Sequence, residues 1–241
     1  MKLKFKKIGV LNFSGNVGKS VIANHLLLPR MNGAKLIEVE TSNAGAFDHQ
    51  ENTRFKGKQF ESVIEEMMLH DSVVVDIGAS NLEDLLKFMN TMAGSHEDFD
   101  LFVVPVTPDK KQQIDTIKTI NSLSKLGVSS DKIRVVFNKL DLDDVSDVQS
   151  IFSTLFAVQF ADKNFTICRD AVLIDNPVYD RLRYLRKTVT EMAHDKTDYT
   201  AMRRMAADAD GKEEANKLLT AQRLSRSAKV NLDSAFEALI H

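Results

Sequence analysis

The feature that most constrains this chain is an apolar strand that runs directly into a glycine-containing loop and then into a helix. Residues 8–13 form the apolar strand pattern, and an apolar helical run follows at residues 21–28. Between them lies the heptapeptide Ser14-Gly15-Asn16-Val17-Gly18-Lys19-Ser20. Small residues let several backbone N–H groups converge on phosphate oxygens, and the helix N-terminus adds the positive end of its dipole. This order of elements therefore predicts a phosphate-binding P-loop.

Two side chains of the loop are predicted to do its chemistry. Lys19 is expected to reach the β- and γ-phosphates of a nucleotide, and the Ser20 hydroxyl to bind the accompanying Mg²⁺. The residues expected to surround the nucleotide here are Ser14, Gly15, Asn16, Val17, Gly18, Lys19, Ser20 and Val21. The strict pattern G-x-x-x-x-G-K-[ST] has glycine where this chain has Phe13. The alternative interpretation is an ordinary strand-turn-helix whose lysine is merely solvated.

Composition narrows the class of protein. The 241 residues can bury one substantial core, and 43% hydrophobic with 27% charged residues is typical of a soluble globular protein. The net charge of −2 predicts no general binding of polyanions. The single cysteine, Cys168, cannot form an internal disulfide and fits a reducing compartment. With no apolar stretch of membrane-spanning length and no secretory signal, we expect a cytoplasmic protein.

Apolar runs alternate with helical patterns, which predicts an α/β fold with a mostly parallel central sheet and helices on both faces. Strands are expected at residues 7–12, 35–39, 72–76, 100–105, 133–138 and 164–168. Helices are expected at residues 19–28, 60–70, 82–93, 111–126, 146–156 and 177–193. Residues 44–58 are polar and lack periodicity, so they are predicted to be a loop.

The composition changes after about residue 195, where the strand signals end. We expect a nucleotide-binding domain over residues 1–195 and a C-terminal helical extension of two or three helices over residues 196–241, with Gly211 as a break or cap. One face of the last helix carries Ala228, Leu232, Ala235, Phe236 and Leu239. Its polar face is not strongly basic, so packing on the core or on a partner is favoured over membrane binding, which stays open as the alternative.

Acidic residues follow two of the predicted strands. Asp76 ends one strand and is expected to hold Mg²⁺; alternatively, it caps the next helix. Glu38 and Glu40 point the same way because side chains alternate along a strand, and at least one is expected to orient water or bind the metal. Solvated acids on an edge are the other possibility. Lys19, Glu40 and Asp76 are thus the predicted catalytic residues, and Ser20 and Asp76 the predicted metal ligands.

A further motif bears on the nucleotide base. The segment Asn138-Lys139-Leu140-Asp141 follows a predicted strand and matches Asn-Lys-x-Asp, the guanine-reading motif of GTPases. An aspartate there accepts hydrogen bonds from guanine N1–H and its exocyclic amine, which adenine does not offer in that arrangement. The other interpretation is an acid-rich loop in which Asn138 alone contacts the base. Ile174-Asp175-Asn176-Pro177 is a second candidate loop over the base.

Taken in order, these motifs resemble the ParA/MinD division of P-loop ATPases over about the first 140 residues. The matching positions are residues 14–20, Glu38-Val39-Glu40, residues 75–79, residues 101–105 and Asn138. The resemblance implies a P-loop NTPase fold, ATP and ADP as ligands with Mg²⁺, a base contact from Asn138, and a possible nucleotide-dependent homodimer. It favours ATP over GTP.

Within this division, the length, the loop and the helical tail look like the plasmid-stability proteins of the StbB/TraL type. That closer resemblance implies a plasmid-encoded DNA-binding partner protein, with plasmid DNA reached indirectly through it. The implied role is in plasmid partition, plasmid stability or conjugative transfer.

The chain also departs from the ParA/MinD pattern. Ser14 stands where the family has its signature lysine, Glu38 and Glu40 replace two aspartates, and a Pro-Pro pair is missing after Asp76. Catalytic groups displaced by about 1 Å can cost on the order of 100-fold in rate, so we expect weak hydrolysis. Nucleotide binding depends mainly on the loop and Lys19, and is less affected.

The function expected from the sequence is therefore a Mg-dependent, weakly hydrolysing ATP-binding switch. Two alternatives are a non-catalytic nucleotide-binding adaptor that docks partners through its tail, and a GTPase that uses Asn138 to Asp141. A P-loop metabolic enzyme would need an acceptor pocket near the γ-phosphate, and no such signature is evident.

Overall fold

In the computed structural model, which describes residues 5–40, 53–56 and 59–241, one seven-stranded sheet organises the chain. Its strands are β1 (Lys7–Val10), β2 (Lys35–Val39), β3 (Thr53–Phe55), β4 (Val73–Ile77), β5 (Leu101–Val106), β6 (Ile133–Leu140) and β7 (Thr166–Ile174). Their order across the sheet is β3-β2-β4-β1-β5-β6-β7, and all neighbours pair in parallel. The predicted parallel α/β sheet is confirmed.

Helices cover both faces of this sheet. In chain order they are α1 (Lys19–Val21), α2 (Phe60–Met68), α3 (Leu82–Thr91), α4 (Lys110–Lys125), α5 (Val148–Ile151), α6 (Ser153–Asp162), α7 (Val178–Leu185), α8 (Val189–His194), α9 (Tyr199–Met205) and α10 (Ala209–Ile240). The α1 helix continues as a π-helix over Ile22–Leu27 and a 3₁₀ turn over Leu28–Arg30.

Two apolar clusters hold these layers together. The first packs α2 to α6 on one face of the sheet, and the second packs the P-loop helix and α7 to α10 on the other. Every residue of β4 and of β5 is buried, because strands in the middle of a parallel sheet are covered on both faces. This arrangement brings the carboxyl ends of β1, β2, β4 and β6 to one edge of the sheet.

Residues 53–55 were predicted as part of a loop, and this prediction is wrong. They form β3, which pairs with the edge of β2 through Ile37 and Thr53. A strand of three residues is too short to show alternation in the sequence, and it forms because β2 offers unpaired backbone groups. Most of the predicted loop, residues 44–52 and 57–58, lies outside the described residues. The last strand also runs further than predicted, to Ile174. The prediction ended too early because exposed Arg169 and Asp170 interrupt the apolar pattern of the strand.

Two predicted helices are divided. The one expected over residues 177–193 is broken between α7 and α8, where Arg186 adopts a left-handed φ of 51°. Thr188 then starts α8 with a capping box, its hydroxyl accepting from the Glu191 N–H. The helix expected over residues 146–156 is a 3₁₀ turn (Leu142–Asp147) followed by α5 and α6, with the break at Phe152. The capping box sets the start of α8, which apolar spacing alone does not show; the break at Phe152 has no side-chain cap.

The tail consists of α9 and the 32-residue α10. Gly211 lies in the first turn of α10, and its N–H donates to the capping Asp208 Oδ1 at 2.8 Å. The apolar face predicted for this helix is buried, including Leu232 and Phe236, and α10 packs on β7 and α8. No helix among the described residues has the length and apolarity that crossing a bilayer requires. The division of the chain at residue 195 stays a prediction.

Arg30 ties the end of the P-loop helix to α10. Its Nη1 donates to the carbonyls of His25 and Leu26 at 2.7 and 3.0 Å, and its Nε and Nη2 donate to Asp233 Oδ1 at 3.0 and 2.6 Å. The Arg30 side chain is only 11% exposed, so these bonds are partly shielded from water. Lys229 also donates to Asp233, at 2.7 Å.

Replacing Arg30 by alanine should therefore lower the free energy of unfolding by about 1–3 kcal/mol, because it removes a side-chain donor from two helix carbonyls and leaves Asp233 with Lys229 alone. Urea denaturation followed by circular dichroism measures the change. Lys217→Ala is the control, because Lys217 pairs with Glu213 on an exposed surface where ion pairs contribute little. Equal stability of the two variants would contradict the structural role assigned to Arg30.

Candidate functional site

A cavity of about 520 Å³ opens at the carboxyl edge of the sheet. The loop after β1 and the start of α1 form one side of it, with Glu40 at the end of β2. Asn138 and Lys139 of β6 and the segment after β7 form the other side. Ligands bind at this edge in open α/β sheets, and the cavity has the size of a small-molecule site. The structure thus brings most of the predicted loop, Glu40 and Asn138 to one space. Ser14, Val17 and Asp76 are not among the residues that line it.

The backbone of the loop requires its special residues. Gly18 has a φ of 88°, and a Cβ placed there would lie 2.1 Å from the Asn138 side-chain nitrogen. Asn138 Nδ2 donates to the Val17 carbonyl at 2.8 Å and so holds the loop against β6. Asn16 has a left-handed φ of 56°, a geometry that asparagine tolerates better than most residues.

Buried hydrogen bonds that support the start of the loop were not anticipated from the sequence. Asn12 is fully buried; its Oδ1 accepts from Ser14 N at 2.7 Å, and its Nδ2 donates to Pro105 O and Thr116 Oγ1, each at 2.8 Å. Thr119 Oγ1 accepts from Phe13 N at 3.0 Å. Helix α4 therefore fixes the entry to the loop. The available signal was an asparagine ending a buried strand, together with two threonines three residues apart on one helix face.

Lys19 lies inside the loop. Its side chain is buried, and Nζ donates to the Ser14 carbonyl at 2.9 Å. Burial lowers the pKa of Lys19, while the negative charges of Asp76 and Glu40 act in the opposite direction. An ammonium group that is held by one carbonyl and faces two acids can turn toward phosphate oxygens without crossing solvent.

Asp76, at the end of β4, lies beside the Ser20 hydroxyl. Burial raises its pKa to about 7, although the hydrogen bond from Ser20 and the charge of Lys19 act to lower it. Its Oδ1 is buried and has no hydrogen-bond partner among the described residues. The turn that follows (Ala79–Asn81) has Gly78 at its N-cap and no side-chain cap, so the capping alternative for Asp76 is not observed.

The Asp76 Oδ1 atom and the Ser20 hydroxyl oxygen are suitable ligands for Mg²⁺. The ion prefers hard oxygen ligands, and it commonly takes one or two from the protein and the others from water and substrate phosphates. Asp76 Oδ1, which has no hydrogen-bond partner among the described residues, and the Ser20 hydroxyl can supply these protein ligands. No group of three or more His, Cys, Asp or Glu side chains suited to a metal occurs in the described part of the chain.

The two glutamates of β2 have different environments. Glu38 is buried and pairs with Arg54 of β3, with Nε 3.0 Å from Oε2. Glu40 lies at the cavity, so close to Gly78 that a Cβ there would be 2.7 Å from Oε2. Burial raises the pKa of Glu40, and the charge of Lys19 opposes this. Of the two acids, Glu40 is therefore the one placed to face a ligand, and Gly78 is the small residue that lets it pack there.

The residues proposed for reading the base are only partly brought together. Asn138 and Lys139 line the cavity, and Lys139 Nζ donates to Asn16 Oδ1 at 3.1 Å. Asp141 is exposed, precedes the turn at Leu142–Asp147, and is not among the residues that line the cavity. Asp175 and Asn176 line the cavity instead, so the second candidate segment lies at this space, and its contact with a base stays a prediction.

Tyr179 of α7 is a site residue that sequence reasoning missed. Its ring lies at the wall shared by this cavity and an adjoining one of about 430 Å³ between β7 and α10. Its hydroxyl is buried without a partner among the described residues, and burial raises the pKa of Tyr179 to about 12. The only available signal was a tyrosine at the start of a helix after a strand end, which is too common to single out.

Comparison with known proteins gives similarity of structure only. No family model and no curated protein matches this chain. Among solved structures, the chain is similar to apo McdA of Cyanothece, with 12% identity and a TM-score of 0.50 over 90% of this chain and 98% of McdA. It is also similar to a chain of the MinC:MinD cell division complex of Aquifex aeolicus, with 13% identity and a TM-score of 0.50 over 90% and 94%. The chain thus has the MinD/ParA type of P-loop NTPase fold.

Proposed function

We propose that this chain is a Mg²⁺-dependent ATP-binding switch with low hydrolytic turnover. The observation that carries the proposal is that Lys19 and Ser20 line one cavity, with Asp76 beside the Ser20 hydroxyl and its Oδ1 buried without a partner among the described residues. A buried polar atom without a partner is costly, so a ligand that supplies one is the simplest reason for it to be there. The bound metal would neutralise phosphate charge, with Ser20 and Asp76 as its protein ligands.

Binding would rest on the loop. Its backbone N–H groups and the α1 N-terminus face the phosphates, and Lys19 exchanges its bond to the Ser14 carbonyl for phosphate oxygens. The hydrogen bonds of Asn12 to Ser14 N and of Asn138 to the Val17 carbonyl hold the loop in one conformation before a ligand binds. The loop therefore loses less entropy on binding.

Hydrolysis would rest on Glu40. Its carboxylate lies at the cavity near Lys19 and can accept a hydrogen bond from the attacking water. Two features support low turnover: Glu38 is committed to Arg54, and Ser14 brings no positive charge where the resembled family has a lysine. The catalytic roles of Lys19, Glu40 and Asp76 belong to this proposal.

Replacing Glu40 by glutamine should lower ATP-dependent phosphate release by about 100-fold, because glutamine cannot accept the proton of the attacking water. The dissociation constant for ATP should change far less than the rate, since the nucleotide is held mainly by the loop and Lys19. Glu61→Gln, at an exposed position of α2, is the matched control and should behave as wild type. Release that is unaffected in Glu40→Gln would remove this residue from the mechanism.

The placement of Asp141 favours adenine over guanine. In a guanine site the aspartate of this motif must reach the base. Asn138 lines the cavity, whereas Asp141 does not. Asn138 keeps its Oδ1 for the base while Nδ2 holds Val17. ATP and ADP are therefore the proposed ligands, and GTP is the nucleotide that the binding test must exclude.

The biological role that we propose is in plasmid partition, plasmid stability or conjugative transfer in the cytoplasm. It rests on the resemblance to StbB/TraL-type proteins. One structurally similar protein, MinD, was solved in complex with MinC, which supports action through a protein partner. Here the partner would be a plasmid-encoded DNA-binding protein, and the nucleotide state would set its affinity and any homodimerisation.

Phosphate release, measured with ATP and Mg²⁺ and again with a metal chelator, tests the proposal. Slow release that requires Mg²⁺ and is lost in Lys19→Ala supports the switch. Tight binding without release, alone or with partner and DNA, would instead identify the chain as a non-catalytic adaptor.

A further inference from the structure

A second polar cavity, remote from the P-loop, lies between α10 and the segment that leads into α9. Its volume is about 280 Å³, and Lys196, Arg223 and Arg226 line it together with the hydroxyl-bearing Thr197 and Thr200. We call these five residues the basic pocket. None of them belongs to the nucleotide cavity described above.

The cations of the basic pocket lack acidic partners. Among residues 5–40, 53–56 and 59–241, no ion pair involves Lys196, Arg223 or Arg226. Other lysines of the same region are paired, as Lys187 is with Asp195 and Lys229 with Asp233. Three positive charges line this cavity against one negative charge, that of Asp198, and an anion would relieve the repulsion that remains.

Two acids at or beside the basic pocket already accept hydrogen bonds from other groups. Asp198 Oδ1 caps α9 by accepting from Ala201 N at 2.9 Å. Asp195 accepts from Thr197 N at 2.9 Å, from the Tyr199 hydroxyl at 2.7 Å and from Lys187 Nζ at 3.1 Å. These contacts, those from Thr197 above all, hold the pKa of Asp195 well below its usual range. Both carboxylates keep their negative charge, but among the described residues neither forms an ion pair with Lys196, Arg223 or Arg226.

The backbone that presents the basic pocket is fixed in advance. Gln222 of α10 is buried, and its Nε2 donates to the carbonyls of Asp195 and Thr197 at 2.8 and 3.2 Å. The segment before α9 is thus bonded to the same helix that carries the two arginines. Because this backbone is held in place, only the exposed side chains of the three cations lose freedom when a ligand binds.

We propose that the basic pocket binds the phosphate group of a small phosphorylated molecule. Arginine donates in a planar fork that matches phosphate oxygens, and lysine and threonine hydroxyls add further donors. The charge of three cations is balanced better by a dianionic phosphate group than by the single charge of one carboxylate. Duplex DNA is a poorer fit, because its binding draws on many phosphate contacts spread along a surface, whereas these cations converge on one small concavity.

The test uses calorimetry on the full chain carrying Lys19→Ala, which strongly weakens phosphate binding at the P-loop. Inorganic phosphate and ribose 5-phosphate are the probes, at low ionic strength. We expect saturable binding of both, weakened by about tenfold or more in Arg223→Gln/Arg226→Gln, since each arginine supplies charge-assisted hydrogen bonds. Lys212→Gln/Lys217→Gln removes two charges from the same helix outside the pocket, and should bind as its parent does.

Several outcomes would overturn the proposal: no saturable binding, equal weakening by both double variants, equal affinity for citrate, or binding of short duplex DNA in preference to ribose 5-phosphate. Thermal melting monitored by circular dichroism checks that each variant is folded. Because the test is made in the Lys19→Ala chain, its result is independent of whether the chain is an ATP-binding switch.

Discussion

The Lys19→Ala variant is expected to bind ATP at least about 100-fold more weakly than the wild type and to release no measurable phosphate. The reason is that Lys19 supplies the only ammonium group buried within the loop, and charge-assisted bonds to phosphate oxygens are among the strongest a site can offer. Calorimetry gives the affinity, and a phosphate-release assay gives the turnover.

This variant should remain folded, because in the unliganded protein Lys19 bonds only the Ser14 carbonyl and its burial works against its charge. Lys139→Ala is the matched control: Lys139 lines the same cavity but bonds only the Asn16 side chain. We expect a small effect there. Equal loss in the two variants would mean that general positive charge binds the nucleotide, contrary to the role given to Lys19.

The Asp76→Asn variant should combine higher stability with loss of the Mg²⁺ effect on nucleotide binding. In the folded protein, burial raises the pKa of Asp76 from 3.8 to about 7. The folded state therefore favours the protonated form, and this advantage is full below pH 3.8 and is lost as the pH rises to about 7. Above that pH the buried carboxylate destabilises the fold, whereas the neutral amide of asparagine does not.

The melting temperature of Asp76→Asn should accordingly exceed that of the wild type by on the order of 5 °C at pH 8, and by less at pH 5. Calorimetry with ATP, with and without Mg²⁺, should show that the metal no longer strengthens binding. Asp143→Asn, on an exposed turn, controls for the loss of one charge. A variant that is less stable at pH 8, or that retains the full Mg²⁺ effect, would contradict the site described for Asp76.

What the sequence predicted well was local or periodic. The strand, loop and helix around Lys19 follow one another in the chain, so their arrangement needs no long-range contact. Asp76 was placed correctly because a residue that ends a buried parallel strand must lie at the carboxyl edge of the sheet. The parallel sheet itself follows from strands buried on both faces and separated by helical segments.

What could not be predicted depends on contacts between distant parts of the chain. Glu38 and Glu40 look equivalent in sequence, and only the pairing of β3 beside β2 gives Glu38 its arginine. The hydrogen bond that Asn12 donates beneath the loop needs Thr116, which is 104 residues away in the sequence. The buried Tyr179 hydroxyl is recognisable only once α7 and α10 are packed.

The most direct test is a calorimetric titration of the purified wild-type chain with ATP and with GTP, each with and without Mg²⁺. We predict saturable binding of ATP that Mg²⁺ strengthens, and weaker binding of GTP. If the folded protein takes up neither nucleotide at millimolar concentration, the loop around Lys19 does not hold a triphosphate, and the proposed switch is wrong.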